Sequence, residues 1–257
     1  MTAFISKTVL ITGATGGIGG ALAQVYALPG NTLILQGRNV ARLAELASQC
    51  ETKGARVITK VVDVRDRIAF PNWLTAISQQ ETLDLVIVNA GVNTNIGADG
   101  SAEPWAEVEA LVEINVLAAM ATVNAVLPAM RARGQGQIAL MSSLAAYFGL
   151  PVTPSYSASK AAMKAYGEAL RGWLAPEGIQ VNVIMPGYVA SKMCHDMPGP
   201  KPFLWTADKA ARVIQRALTR NQPRLSFPFP LNLGTWCLSM LRPSISQWIL
   251  RVLNYGG

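Results

Sequence analysis

Acidic residues are missing from the last fifth of this chain. After Asp208 there is no Asp or Glu, while Lys209, Arg212, Arg216, Arg220, Arg224, Arg242 and Arg251 follow. Those cations account for the whole formal net charge of +7, so residues 1–208 balance to neutrality. They lie among apolar residues without a recognition motif, which argues against a nucleic-acid partner. Histidine is nearly absent as well: His195 stands alone, which excludes a zinc site or triad built on several imidazoles. Cys50, Cys194 and Cys237 are too few and too scattered for a disulfide framework or a metal site. No metal is expected, and a reduced cytoplasmic setting fits. No run of 18 uncharged apolar residues occurs, so no spanning helix is expected. Residues 1–7 run into a strand without a signal-peptide pattern.

What remains is 257 residues, 51% hydrophobic and 14% charged, enough for one large α/β domain with a full core. Thr8–Thr12 is a short β-branched run, and Gly13-Ala14-Thr15-Gly16-Gly17-Ile18-Gly19 follows before a helical stretch from Ala21 to Leu28. A strand, a glycine-rich turn and a helix together place free N–H groups where an anion can bind. Gly13, Gly17 and Gly19 fit one known spacing, and Gly13, Gly16 and Gly19 fit another. Thr32–Gln36 is a second strand, leading to Gly37-Arg38-Asn39. No acid stands between Thr32 and Ala44 to accept from a ribose 2′-hydroxyl, and Arg38 can hold a 2′-phosphate instead, which points to NADP with NAD as the second choice. A solvated arginine opening a helix is the plainer reading.

Arg56–Val62 is a third strand ending at Asp63-Val64, where the carboxylate either meets an adenine amino group or caps a turn. Leu83–Val88 runs into Asn89-Ala90-Gly91, small enough for a cofactor to lie against the strand end. A helical pattern then extends from Pro104 to Arg133 with Asn115 in its middle, where Asn is mildly unfavourable. Ile138–Met141 delivers Ser143 to a strand edge, and Gln180–Met185 is a sixth strand broken by Pro186-Gly187-Tyr188-Val189. Strands alternating with helices at this spacing give a parallel sheet covered on both faces.

The stretch from Ser142 to Lys160 carries the chemistry. Tyr156 and Lys160 share one helix face at i and i+4. A neighbouring ammonium favours the phenolate and lowers a phenol pKa from its ordinary value of about 10, making Tyr156 an acid/base near neutrality. A Tyr-x-x-x-Lys pair alone is usually a surface pair.

Taken in order, Thr12–Gly19, Asn89-Ala90-Gly91, Asn115, Ser143, Tyr156-Ser157-Ala158-Ser159-Lys160 and Pro186-Gly187 resemble a classical short-chain dehydrogenase/reductase over about residues 5–190. The resemblance implies a Rossmann-like doubly wound α/β/α domain and favours the Gly13/Gly17/Gly19 spacing. It implies catalytic roles for four residues: Tyr156 transfers the proton, Lys160 lowers its pKa and holds the nicotinamide ribose, Ser143 orients the carbonyl, and Asn115 positions a water. Cofactor contacts would come from Gly13, Thr15, Gly17, Ile18, Gly19, Arg38, Asp63, Val64, Asn89, Ala90, Gly91, Tyr156, Lys160, Pro186, Gly187 and Val189. Hydride would move between the nicotinamide C4 and a carbonyl or secondary alcohol. An epimerase or dehydratase using its cofactor transiently is one alternative, and a non-catalytic NADP(H) sensor is another.

Two positions depart from the family pattern. Ser191 stands where Thr is frequent, and the family's glycine-rich last strand is missing, so a homo-oligomer is implied with a dimer favoured over a tetramer. The reading divides the chain into a dinucleotide-binding domain over residues 1–230, including a substrate loop at 188–206, and a tail over 231–257. That loop holds Met193, Cys194, Met197 and Phe203, which suits a small-molecule substrate with a hydrophobic part, while Lys192, His195 and Lys201 leave room for an anionic group. The tail holds many Leu and Ile, Trp236, Trp248 and Tyr255, bordered by Arg242 and Arg251, and Pro243 is expected to split it into two helices. Such helices suit a membrane surface, packing on the domain, or a dimer contact.

Overall fold

The computed structural model describes residues 6–97 and 99–253; Tyr255 lies outside them. Seven strands, β1 (Thr8–Ile11), β2 (Thr32–Gly37), β3 (Arg56–Val61), β4 (Leu85–Val88), β5 (Gly136–Met141), β6 (Ile179–Pro186) and β7 (Arg224–Phe227), form one sheet. All its pairings are parallel, in the order β3-β2-β1-β4-β5-β6-β7. Between them run α1 (Gly17–Tyr26), α2 (Val40–Glu51), α3 (Ala69–Gln80), α4 (Trp105–Val112), α5 (Ala118–Arg133), α6 (Pro154–Leu174), α7 (Lys192–Asp196), α8 (Ala207–Thr219), α9 (Leu231–Met240) and α10 (Pro243–Val252).

The two-residue period of the strands sorts their side chains between two cores. Val9, Ile11, Leu33, Leu35 and Ile87 face one side, where Leu22, Leu43, Leu46, Ile214 and Leu218 of α1, α2 and α8 cover them. Leu10, Ile34, Val86 and Val88 face the other, against Phe70, Leu74, Val123, Leu127, Leu170 and Leu174 of α3, α5 and α6. Burying each such side chain contributes about 1.5–3 kcal/mol. The helix Pro104–Arg133 expected from the sequence is interrupted by one π turn, Glu113–Leu117, with Asn115 at its centre. Together with that turn, α4 and α5 are long and apolar enough to cross a membrane, unlike anything the sequence reading expected, but half of that apolar window is buried in the domain.

Strand order reverses between β1 and β4, which both neighbour each other and continue outward in opposite directions. Connections therefore diverge there and leave a crevice at the carboxyl ends of the strands, the usual ligand position in such sheets. The short segment at Arg224–Phe227 is a true edge strand, paired from Val183↔Arg224 to Pro186↔Phe227. Pro243 does begin a second tail helix, α10, which packs on α9.

Candidate active site

The crevice holds a groove of about 750 Å³ whose floor is the turn between β1 and α1. Three glycines keep it open. Gly13 has φ of +65°, and a Cβ there would lie 2.8 Å from Ala90 Cα. A Cβ on Gly17 would sit 2.9 Å from Ser191 Cβ, and one on Gly19 2.7 Å from Asn89 Nδ2. Gly16 would meet only Gly13 O, at 3.3 Å, so the tight positions are 13, 17 and 19. Side chains pin the turn. Thr12 Oγ1 accepts from Asn89 N and Ala90 N at 3.0 and 3.1 Å, Asn89 Nδ2 donates to Thr12 O and Gly13 O, and Gly13 N donates to Gln36 Oε1 at 2.9 Å. Such a cradle of backbone with no side chains in the way fits a dinucleotide pyrophosphate at the α1 N-terminus.

Along the groove lie Thr15, Ile18, Arg38, Val64, Asn89, Ala90, Gly91, Tyr156, Lys160 and Pro186, all expected from the sequence. Three expected residues lie elsewhere. Asp63 does not line the groove: its carboxylate pairs with Arg65 at 2.9 Å and with Arg38 at 3.7 Å, and the Arg65 hydrogen bond holds its pKa below the ordinary value. Asp63 Oδ1 also accepts from Arg65 N at 2.9 Å, the turn contact that one of its two readings expects. Gly187 and Val189 line a second cavity instead. Arg42, in the first turn of α2, also lines the groove and was not anticipated.

The second cavity, about 260 Å³, opens beside the first. Ser143, Leu144 and Ala145 form one wall, the 188–206 segment supplies Tyr188, Met193, Cys194 and Met197, and the tail supplies Leu231, Leu238, Ile249 and Leu250. The tail thus packs over this chamber, a contribution no local pattern in 231–253 announced. Tyr156 and Pro186 line both cavities.

Helix α6 brings the hydroxyl and the ammonium together. Pro154 starts it, a position where its missing N–H costs nothing. Glu103 accepts from Ser155 N at 3.2 Å and from the Ser155 hydroxyl, setting an anion at the helix N-terminus. Gly167 lets the helix lie close to the sheet, since a Cβ there would be 3.0 Å from Leu140 Cδ1. Ser142 Oγ donates to Lys160 O at 2.7 Å, and Lys160 Nζ donates to Met141 O at 3.0 Å, so the end of β5 holds both ends of the lysine. The ammonium lies 5.5 Å from the Tyr156 ring centroid. Burial lowers the Lys160 pKa to about 8.

The Tyr156 phenol departs from the expected direction. Burial pushes its pKa above 10, and only hydrogen bonding with Ser143 draws it back. Desolvation is the dominant influence on this phenol. Ser143 Oγ accepts from Ala145 N at 3.2 Å and donates to Pro186 O over a long 3.4 Å. Asn115, 1% exposed, is more heavily committed. Its Oδ1 accepts from Val92 N at 2.8 Å and its Nδ2 donates to Val92 O and Ser159 Oγ at 2.9 and 3.0 Å. Both amide donors are used, leaving one oxygen lone pair for a water. A Cβ on Gly91 would touch both Asn115 Oδ1 and Lys160 Nζ, at 3.2 and 3.4 Å. The π turn thus brings this amide beside the lysine.

Known proteins resemble this chain over most of its length. The family described as short chain dehydrogenase matches residues 7–200. An uncharacterized oxidoreductase of Myxococcus xanthus is 34% identical over 230 residues, covering 89% of this chain and 90% of its own. A ketoacyl reductase of a Nostoc species is 33% identical over 195 residues, 74% of this chain and 66% of that protein. A solved short-chain dehydrogenase from Sphingobium yanoikuyae in complex with NADPH has the same fold, with a TM-score of 0.79 at 24% identity over 93% of this chain and 94% of that one.

Proposed function

The chain belongs to the classical short-chain dehydrogenase/reductase family and is an NAD(P)-dependent oxidoreductase acting between carbonyl and alcohol; from that premise we propose that it prefers NADP and reduces a carbonyl with apolar flanks. One observation carries the reading: Tyr156 stands where the dinucleotide groove and the apolar chamber meet. A bound nicotinamide supplies the hydride. The protein's own part is to hold the carbonyl oxygen and to deliver a proton to it. Ser143 Oγ donates to the oxygen and fixes its direction, and Tyr156 Oη gives up its proton as charge develops there. A phenol whose pKa is raised by burial is protonated at neutral pH, which suits it to the reducing direction. Lys160, with a pKa of about 8, is mostly an ammonium at neutral pH and stabilises the phenolate left behind. Asn115 holds the Val92 loop and flanks Lys160, a positioning residue.

Arg38 and Arg42, with no acid at the end of β2, support selection of a 2′-phosphate. The chamber walls of Leu, Met and Ile support an apolar substrate, and a relative named as a ketoacyl reductase fits the same direction. Exposed Trp105 and Leu117 on the long helix, and Trp173 on α6, support a homo-oligomer. Three free cysteines suit a reducing, cytoplasmic setting.

Titration with NADPH and NADH on wild type and Arg38→Ala tests the cofactor preference. Arg38 is largely exposed and shares its charge with Asp63, so the loss on NADPH is expected at the low end for a charged hydrogen bond, about tenfold, with NADH unchanged. Equal binding of the two in wild type overturns the preference. A carbonyl panel read by NADPH oxidation tests the reaction, and turnover of a substrate without net NADPH consumption would point to transient cofactor use instead.

A further inference from the structure

The tail has two apolar sides, and only one of them is used by the fold. On α10, Ser246, Ile249 and Leu250 turn inward. Leu250 is 3% exposed, and the Ser246 hydroxyl donates to Leu238 O at 2.7 Å, tying α10 to α9. Ile245, Trp248 and Val252, spaced three and four apart on the same helix, turn outward and are 45%, 62% and 63% exposed. On α9, Trp236 and Met240 repeat the pattern, at 42% and 70% exposure. A tryptophan on each of two adjoining helices, left to solvent together with branched aliphatics, is an interaction surface rather than scattered exposure.

We propose that this outer face docks the enzyme on the interface of an anionic lipid bilayer. Charge favours lipid over a second copy of the chain. Arg242 and Arg251 border the apolar residues, and no acidic residue occurs anywhere after Asp208. A two-fold contact through this face would set cations against cations with no carboxylate from the segment to offset them. Against phosphate headgroups the same arginines add attraction to the burial of tryptophan and aliphatic side chains, the composition of an interfacial helix. The surface is also continuous with the chamber: Leu253 is 56% exposed and lines the second cavity. If the chamber takes an apolar carbonyl, as the proposed function holds, a substrate dissolved in the bilayer reaches it at the docked edge. Docking itself does not rest on that reading.

The test is co-sedimentation of the full chain with vesicles of phosphatidylcholine alone and of phosphatidylcholine mixed with phosphatidylglycerol. Wild type is expected to sediment with the mixed vesicles and to be released by salt. Trp236→Glu combined with Trp248→Glu is expected to weaken this at least about tenfold, and Arg242→Glu combined with Arg251→Glu to remove the preference for anionic lipid. An unchanged NADPH titration shows that each variant is folded. Wild type that stays in the supernatant with both vesicle types overturns the proposal, as do tryptophan variants that bind like wild type. A wild-type dimer that these variants split, without vesicle binding, assigns the face to self-association instead. Failure of wild type to bind NADPH would count against the proposed function while leaving the vesicle result to stand.

Discussion

Replacing Lys160 by Met should change how stability depends on pH, by an amount the site itself sets. The lysine is 5% exposed, and burial lowers its pKa from the ordinary 10.5 to about 8. Between those two values the unfolded chain carries the proton and the folded chain does not. Stability from this group therefore rises as pH increases through that window, and its cost is complete below the folded value. At about 1.4 kcal/mol per pH unit, the cost at neutral pH comes to about 3 kcal/mol. Met is of similar length and carries no charge, so the variant escapes it, less a constant loss from the hydrogen bond to Met141 O. Other groups act in the opposite sense: burial raises Tyr26, Tyr156, Tyr166, Cys50 and Cys194, which lowers stability at alkaline pH. All of these except Tyr156, which adjoins the lysine, are common to both proteins and cancel in the difference. Urea unfolding of wild type and Lys160→Met at pH 7 and pH 10 should show the advantage of the variant falling by about 2 kcal/mol across that range. Stability curves that run parallel in the two proteins would mean that the lysine is not desolvated as the structure has it, and the reasoning would fail.

Tyr156→Phe should lower carbonyl reduction by about 10²–10⁴-fold, the usual worth of a positioned proton donor, while NADPH still binds; residual activity near wild type would remove the proton from Tyr156. Gly17→Ala should cost both thermal stability and cofactor affinity, because its methyl would meet Ser191 Cβ at 2.9 Å and Ala190 O at 3.1 Å, whereas Gly16→Ala should be milder. Paired melting curves and NADPH titrations decide it, and equal effects would undo the distinction between the two glycine spacings. Leu250→Ala should destabilise by about 2 kcal/mol, the low end for a buried leucine because the site already adjoins an open chamber, and should favour bulkier carbonyl substrates.

Much of the architecture was legible because it rests on local rules. The strands announce themselves by β-branched runs, and their two-residue period assigns Val9 and Leu10 to opposite cores. The glycines were visible as a motif, but only the approach of Ala90, Ser191 and Asn89 to the backbone distinguishes Gly17 from Gly16. Asn115 stood out as a polar residue inside an apolar helix, yet the π turn that turns it toward Gly91 has no sequence signature. Asp63 was legible as a carboxylate at a strand edge, but its ion pairs with Arg65 and Arg38 were not, because spacing alone does not rank neighbouring charges. The direction of the phenol's pKa was hidden too: the sequence displays the cation beside Tyr156 but not the burial that raises it. Least legible was the apolar chamber, since Ser143, Cys194 and Leu250 meet only through tertiary packing.

The order in which the two cavities are completed follows the order of the chain. The dinucleotide groove is lined by residues from Gly13 to Met193, whereas the chamber needs Leu231 to Leu253 as well. As the polypeptide leaves the ribosome, the groove is therefore available while the chamber still lacks a wall. A nascent chain can take up its dinucleotide first, and that binding favours the folded sheet by mass action before the tail arrives. The tail helices follow every residue of the groove in the chain, so the chamber is the later of the two cavities to close.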